Sequence, residues 1–145
     1  MTKEVLVTVR GLQIAPDDEE NEIEVIIPGE HFLKNGKHYV FYDEVIEDST
    51  EKISNVIKCS EHCLEVTKKG AINTHMVFEK DKKNQSYYKT PFGNILVGIF
   101  ANAVDIKEEE DSLTIDVEYV LDLNCEKIAD CKIHICVRSR EMGLL

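Results

Sequence analysis

The chain has 145 residues, enough for one domain that buries ~68–70% of its extended surface and so needs no disulfide or metal to fold. Apolar residues make up 43%, the composition of an ordinary globular protein. A formal net charge of −11 repels phosphate backbones and anionic headgroups, which removes nucleic acid and membrane surfaces from the expected partners and leaves the acid as a solubilising coat.

The first stretch, MTKEVLVTVRG, sets Val5, Val7 and Val9 on one face and Thr8 and Arg10 on the other. Alternation is the period of a strand, and a secretory leader would carry a continuous apolar run instead. No run approaches the length of a membrane-spanning helix, so the expected compartment is the cytoplasm. After the connector APDDEEN, residues 22–27 alternate again, with Ile23, Val25 and Ile27 against Glu22 and Glu24. PGEHFLKNG reads as a Gly- and Pro-bearing connector. Residues 36–46, GKHYVFYDEVI, are rich in aromatic and β-branched side chains, with Tyr39, Phe41 and Val45 opposite Val40, Tyr42 and Ile46.

Residues 48–64 fit two patterns. Ile53, Val56, Ile57 and Leu64 have helical spacing, with Asp48 or Ser49 as an N-cap. The same stretch also reads as strands 52–59 and 63–67 broken at Ser60–His62. Its β-branched residues lean toward strands.

Beyond it, Ile72, Thr74, Met76 and Phe78 alternate with Asn73, His75, Val77 and Glu79, and KDKKNQ follows as a connector. In YYKTPFGNILVGIF, residues 87–100, Pro91 presets a turn and Gly93 tolerates positive φ. Residues 112–123 alternate most cleanly, and residues 129–137 place Cys131, Ile133, Ile135 and Val137 on one face. The acidic runs Asp17–Glu20 and Glu108–Asp111 read as solvated loop tips, because the spacing and glycine of a calcium loop are missing. Many short strands at even spacing predict a sandwich or a barrel.

The five cysteines are odd in number and form no CxxC. A zinc set would draw on Cys59, His62 and Cys63 with Cys125, Cys131 or His134, but CSEHC has no second knuckle to match it. The favoured reading is reduced thiols acting as small hydrophobes, with no metal and no cofactor. No nucleotide-binding, metalloprotease or serine-hydrolase motif occurs, so no catalytic residue is singled out.

A family resemblance separates the sandwich from the barrel. GKHYVFYDE at 36–44, KKG at 68–70, MVF at 76–78 and YKTPFG at 88–93 follow the order and separations of the YwiB-like bacterial proteins, a family of unknown function that the chain resembles over roughly residues 3–138. The resemblance implies a single all-β domain: an antiparallel, lipocalin-like (calycin-type) barrel of about eight to ten strands in meander order. It implies strands in the ambiguous 52–67 stretch, leaves 139–145 as a tail, and implies no activity. One departure is local. The resemblance implies Arg–Ser before Gly70, where this chain has Lys68–Lys69. An ammonium does not reproduce a bidentate guanidinium contact.

Tyr42 and Glu44 share a strand face, as do Tyr88 and Thr90. With Lys69 they form the expected ligand-binding set, two phenols, a carboxylate and a cation suited to a small amphipathic or carboxylate-bearing molecule in a barrel lumen. The plainer reading keeps Glu44 and Lys69 as an exposed pair worth little and the tyrosines as packing with wet hydroxyls. Separately, the strand after Gly93 is apolar on both faces, with Ile95, Val97 and Ile99 on one and Leu96, Phe100 and Val104 on the other. If the first set faces the lumen, the second needs a cover, and a homodimer supplies one. Three functions follow in order: a binding barrel, an assembly module, and an enzyme using lumenal acid and base.

Overall fold

The structure, a computed structural model of the chain, describes residues 3–11, 24–45, 50–70, 73–90 and 93–140. Ten strands account for nearly all of them: β1 Glu4–Arg10, β2 Glu24–Lys34, β3 Lys37–Val45, β4 Lys52–Ser60, β5 Cys63–Gly70, β6 Thr74–Glu79, β7 Lys83–Thr90, β8 Gly93–Glu108, β9 Ser112–Leu123 and β10 Glu126–Ser139. They make one sheet in the order β6-β5-β4-β3-β2-β1-β10-β9-β8-β7, with every ladder antiparallel. The sheet curls into a nearly closed barrel. Every hairpin of the meander is paired except β6–β7, and β1 closes on β10. Across the remaining seam an isolated parallel bridge joins Lys80 to Ala101, and Asp81 N–H donates to the Ala101 carbonyl at 2.9 Å.

The ambiguous stretch is β4 and β5, turned at Glu61-His62, where His62 takes φ 59°. The helical spacing of Ile53, Val56 and Ile57 was thus compatible with a strand whose inward residues are Ile53, Asn55, Ile57 and Cys59. PGEHFLKNG is not a connector over most of its length. β2 runs through it, and the turn is confined to Asn35-Gly36, both at positive φ, the geometry that a two-residue hairpin requires. Pro28 and Gly29 mark a parting of strands rather than a loop. The β2–β3 ladder stops at Glu30↔Phe41, and a Cβ on Gly29 would lie 2.6 Å from the Phe41 carbonyl oxygen. Gly93 takes φ 114°, as its place after Pro91 suggested. Ile23, Ile46, Ile72, Pro91, Phe92 and the run Asp17–Glu20 lie outside the described residues.

One alternate set of side chains from each strand fills the barrel. Val5, Val7, Val40, Ile57, Leu64, Val66, Phe78, Leu113, Ile115, Ile133, Ile135 and Val137 are fully buried in a single cluster. Phe78 packs edge-on against Tyr119 at 4.9 Å between centroids, bringing β6 against β9 across the interior. The middle of the lumen is therefore side chain, and the polar groups that face inward are left to the two ends.

The second face of β8 is covered only in part by the chain itself, and Tyr87, the cross-strand partner of Leu96, stays exposed. Lys83 lies across Gly98, so close that a Cβ there would sit 3.0 Å from its Cε, and its ammonium pairs with Asp122 at 2.7 Å. Phe100 is the cross-strand partner of Lys83, and both Leu96 and Phe100 are half-buried. Val104 belongs to the other side altogether. The ladder with β9 shifts between Ala101 and Ala103, a bulge at Asn102 that reverses the alternation, and Val104 enters the core at 2% exposure. Its place in the expected outer interface is thereby corrected.

Candidate functional site

In an antiparallel meander, alternate turns lie at opposite ends of the barrel. One end gathers the end of β3, the start of β4 and the end of β5. There Val40, Tyr42 and Glu44 point inward from β3 in alternation, with Asn55 from β4 and Lys68 from β5. Lys68, not Lys69, is the cation of this end. Leu64 and Val66 fix the inward phase of β5, Lys68 continues it, and Lys69 points out and is exposed. The same phase was readable in LEVTKK, and it corrects the pairing of Glu44 with Lys69.

The Lys68 ammonium donates to Asn55 Oδ1 at 2.8 Å and lies 3.4 Å from both carboxylate oxygens of Glu44. Its side chain is 15% exposed, that of Glu44 27%. A lysine is seldom buried so far without a partner. Here one charge-assisted bond to an amide and a looser ion pair hold it, and Asn55, 1% exposed, depends on that ammonium for its carbonyl oxygen. Tyr42 is buried beside Glu44, and burial first, then the carboxylate, keeps its phenol protonated.

Tyr88 lies across the seam from this group. Its hydroxyl donates to the His75 carbonyl at 3.4 Å, so the phenol links β7 to the free edge of β6 where the hairpin ladder is missing. Burial pushes it up to about 12, so it stays a donor at neutral pH. The side chain of Thr90 lies outside what is described. Beside Tyr88 an open groove of about 440 Å³ is lined by Lys68, Lys69, Thr74, His75, Ser86 and Tyr88, among others. The structure thus brings together Tyr42, Glu44 and Lys68, sets Tyr88 at the neighbouring groove, and leaves Lys69 on its rim.

The opposite end holds a constellation that the sequence did not suggest. His31 on β2 and His38 on β3 are both buried, and His31 Nε2 lies 2.9 Å from His38 Nδ1. Glu108, at the end of β8, places Oε1 3.4 Å from His38 Nε2. Burial, then His38, holds the His31 imidazole below its ordinary value. Cys59 is buried on the strand beside His38, and burial pushes its thiol up to about 12, with Glu108 adding to the effect. His31 was hidden in a segment read as a loop. The signal for it was the Asn35-Gly36 pair, a two-residue hairpin turn that makes the residues before it a strand.

The sequence neighbours Cys59, His62 and Cys63 are not brought together. Cys59 faces in, Cys63 faces out, and His62 sits in the turn.

Ten antiparallel strands around a packed interior, with polar groups held at both ends, define a small β-barrel protein. The chain matches the model of a domain of unknown function (DUF1934) over residues 7–135 and belongs to that family. It is 24% identical over 128 residues to the uncharacterized beta-barrel protein YwiB of Bacillus subtilis (strain 168), covering 88% of this chain and 89% of that one. The crystal structure of the ywiB protein from Bacillus subtilis superposes with a TM-score of 0.76 at 20% identity, over 94% of this chain and 92% of that one. The shared feature is the barrel itself.

Proposed function

We propose that the barrel binds a small amphipathic molecule at the end that holds Lys68, with the polar head against the ammonium and the apolar part along the groove beside Tyr88. The observation that carries this reading is the burial of Lys68 at the edge of an open groove. Lys68 has three donors, and Asn55 takes one at full strength while Glu44 stands off at 3.4 Å. A carboxylate or other acceptor head would complete the set by displacing Glu44 toward solvent. The filled lumen moves the expected ligand from the barrel centre to this mouth. Free cysteines among the described residues support a reducing compartment, the cytoplasm. No helix of the described residues is long and apolar enough to cross a membrane.

Titration of the untagged protein with decanoate, followed by calorimetry, tests it. Saturable binding at one equivalent, lost in Lys68→Met and kept in Lys69→Met, is the expected result. Equal binding by wild type and Lys68→Met, or none by wild type, overturns it.

Self-association is a second reading, favoured by a different outer face from the one expected. Phe32 and Phe41 are each 40% exposed and pack edge-on at 5.8 Å, with Leu33 and Val45 exposed on the same two strands. Such a cluster is the kind of surface that an interface covers. Light scattering at high concentration decides: a dimer that Phe41→Glu converts to a folded monomer supports it, and a monomeric wild type removes it. Lumenal acid–base catalysis ranks last, because Tyr42 and Cys59 are both held in their protonated forms.

A further inference from the structure

The seam between β6 and β7 presents two strand edges that no ladder joins. Which backbone groups face it follows from alternation. The His75 carbonyl points into the seam, where it accepts from the Tyr88 hydroxyl, and Val77, two residues on, turns its N–H and C=O the same way. On β7 the phase is set through β8. Leu96 exchanges hydrogen bonds with Asn124 on the β9 side, so Ile95 and Val97 bond toward β7. Their partners there are Tyr88 and Ser86, which leaves the N–H and C=O of Gln85 and Tyr87 for the seam.

The gap is open at one end only. Past Glu79 the chain closes it, where Asp81 N–H reaches the Ala101 carbonyl. Toward Thr74 it widens into the groove of about 440 Å³, walled by Thr74 and His75 from β6 and by Ser86 and Tyr88 from β7. Lys68, the cross-strand partner of Thr74, lines it as well. Paired strands would stand ~4.7–4.9 Å apart, but here a tyrosine side chain and a 3.4 Å hydrogen bond lie between the Tyr88 backbone and β6. The phenol donates where a strand laid between the two edges would place an N–H. A hydroxyl bond of that length is weak and readily replaced.

Two side chains mark the same place. Among the described residues three buried side-chain polar atoms have no hydrogen-bond partner, and two of them, Thr74 Oγ1 and Asn84 Nδ2, belong to the strands that flank the seam. Buried polar groups are seldom left so, and a bound molecule is one way to satisfy them. The charge is selective too. Lys68 and Lys69 both line the groove, in a chain whose net charge is −11.

Resting on the binding reading above, we propose that the ligand is an extended peptide that adds as a strand along the β6 edge and sets its C-terminal carboxylate against Lys68. The acidic head is then a chain terminus and the tail a peptide backbone. Val77 bonds that backbone, and Thr74 Oγ1 lies beside the carboxylate. The last residue sits at the Thr74 end, so the peptide runs antiparallel to β6. Strand addition to an open edge and capture of a terminal carboxylate are both known modes of peptide recognition. Closure at Asp81 confines the added strand to the six residues of Thr74–Glu79, which keeps longer edge-to-edge pairing out.

The probe is a mixed-sequence library of N-acetylated hexapeptides with free C-termini, selected on the whole chain and followed by calorimetry of the enriched sequences. Saturable binding at one equivalent is expected. Amidation of the C-terminus, or Lys68→Met, should weaken it by about 10–100-fold. Val77→Pro should remove it, because proline there loses only the N–H that faces the seam and leaves the β5 ladder whole. Hydrogen exchange on wild type decides the point even if that variant fails to fold: the Val77 amide should exchange fast in the free protein and slowly with peptide bound. Decanoate separates this proposal from the reading it rests on. Lys68-dependent binding of decanoate with no peptide selected, or peptide binding that leaves Val77 unprotected or ignores amidation, overturns the peptide and leaves the small molecule. Failure of both ligands overturns both.

Discussion

The two ends of the barrel bury polar groups by opposite means. At one, Lys68 keeps its charge and meets an amide and a carboxylate. At the other, His31 and His38 share a hydrogen bond in which one ring must accept, so the two cannot both be cations and keep it. The first arrangement is an ion pair with an amide beside it, and the second is a hydrogen bond that needs one imidazole nitrogen unprotonated. A packed apolar middle separates the two, and the barrel can therefore tune them independently.

Emptying that middle should have the largest effect. Phe78 is fully buried and touches Tyr119 across the interior. Phe78→Ala should cost about 3–5 kcal/mol in urea denaturation. Hydrogen exchange in this variant should rise at both ends together. Exchange that rises at one end only would show that the wall does not join them.

At the charged end, Lys68→Ala strips Asn55 of its donor in a place where the amide is almost wholly buried. The expected loss is about 1–3 kcal/mol. Lys69→Ala, one residue on but facing out, should stay within about 0.5 kcal/mol of wild type. Equal effects from the two lysines would erase the assignment of Lys68 to the interior.

The histidine end should answer to pH instead. His31 is held below its ordinary 6.5, by burial first and by His38 next, with Glu108 working against both. A depressed histidine favours the neutral form in the fold. Its contribution is complete above the unfolded value, and it falls away as pH drops from about 6.5 toward the lower folded value. Denaturation should therefore show stability declining below about pH 6.5, with a shallower slope in His31→Gln. Among the charges acting on this ring, His38 lowers it and Glu108 raises it, so Glu108 opposes the decline. A slope that is the same in the variant would assign the pH dependence elsewhere.

Most of the barrel could be read from alternation. β1, β9 and β10 have one apolar face and one polar face, and the structure seats them as that pattern requires. Alternation misled where backbone geometry broke its phase. The Asn102 bulge has no marker in GIFANAV, so Val104 was placed outside when the chain had already turned it in. Pro28 and Gly29 look like loop residues, yet they sit in a strand at the point where it leaves its neighbour. The polar ends were legible only in part. Tyr42 and Glu44 follow from their spacing alone. Lys68 needed the phase set by Leu64 and Val66, and the adjacent Lys69 offered a rival. The histidine pair depends on a register between β2 and β3 that places residue 31 diagonally from residue 38, and periodicity within one strand does not fix the register between two.

The position of the seam governs how this barrel is assembled. β1 finds its second neighbour only in β10, while the one unpaired hairpin lies midway along the chain at β6–β7. During synthesis β1 is made before β10, and its open edge waits until Glu126–Ser139 has followed. The hairpins between sequence neighbours can form locally and early on the way. The contact that turns the sheet into a barrel joins the most distant parts of the sequence, and loop-closure entropy places it late. Until then Val5, Val7 and Val9 stand at an unprotected strand edge, the kind of surface that pairs with other chains. Thus the seam that the finished molecule tolerates in its middle is bought with a vulnerable first strand during its making.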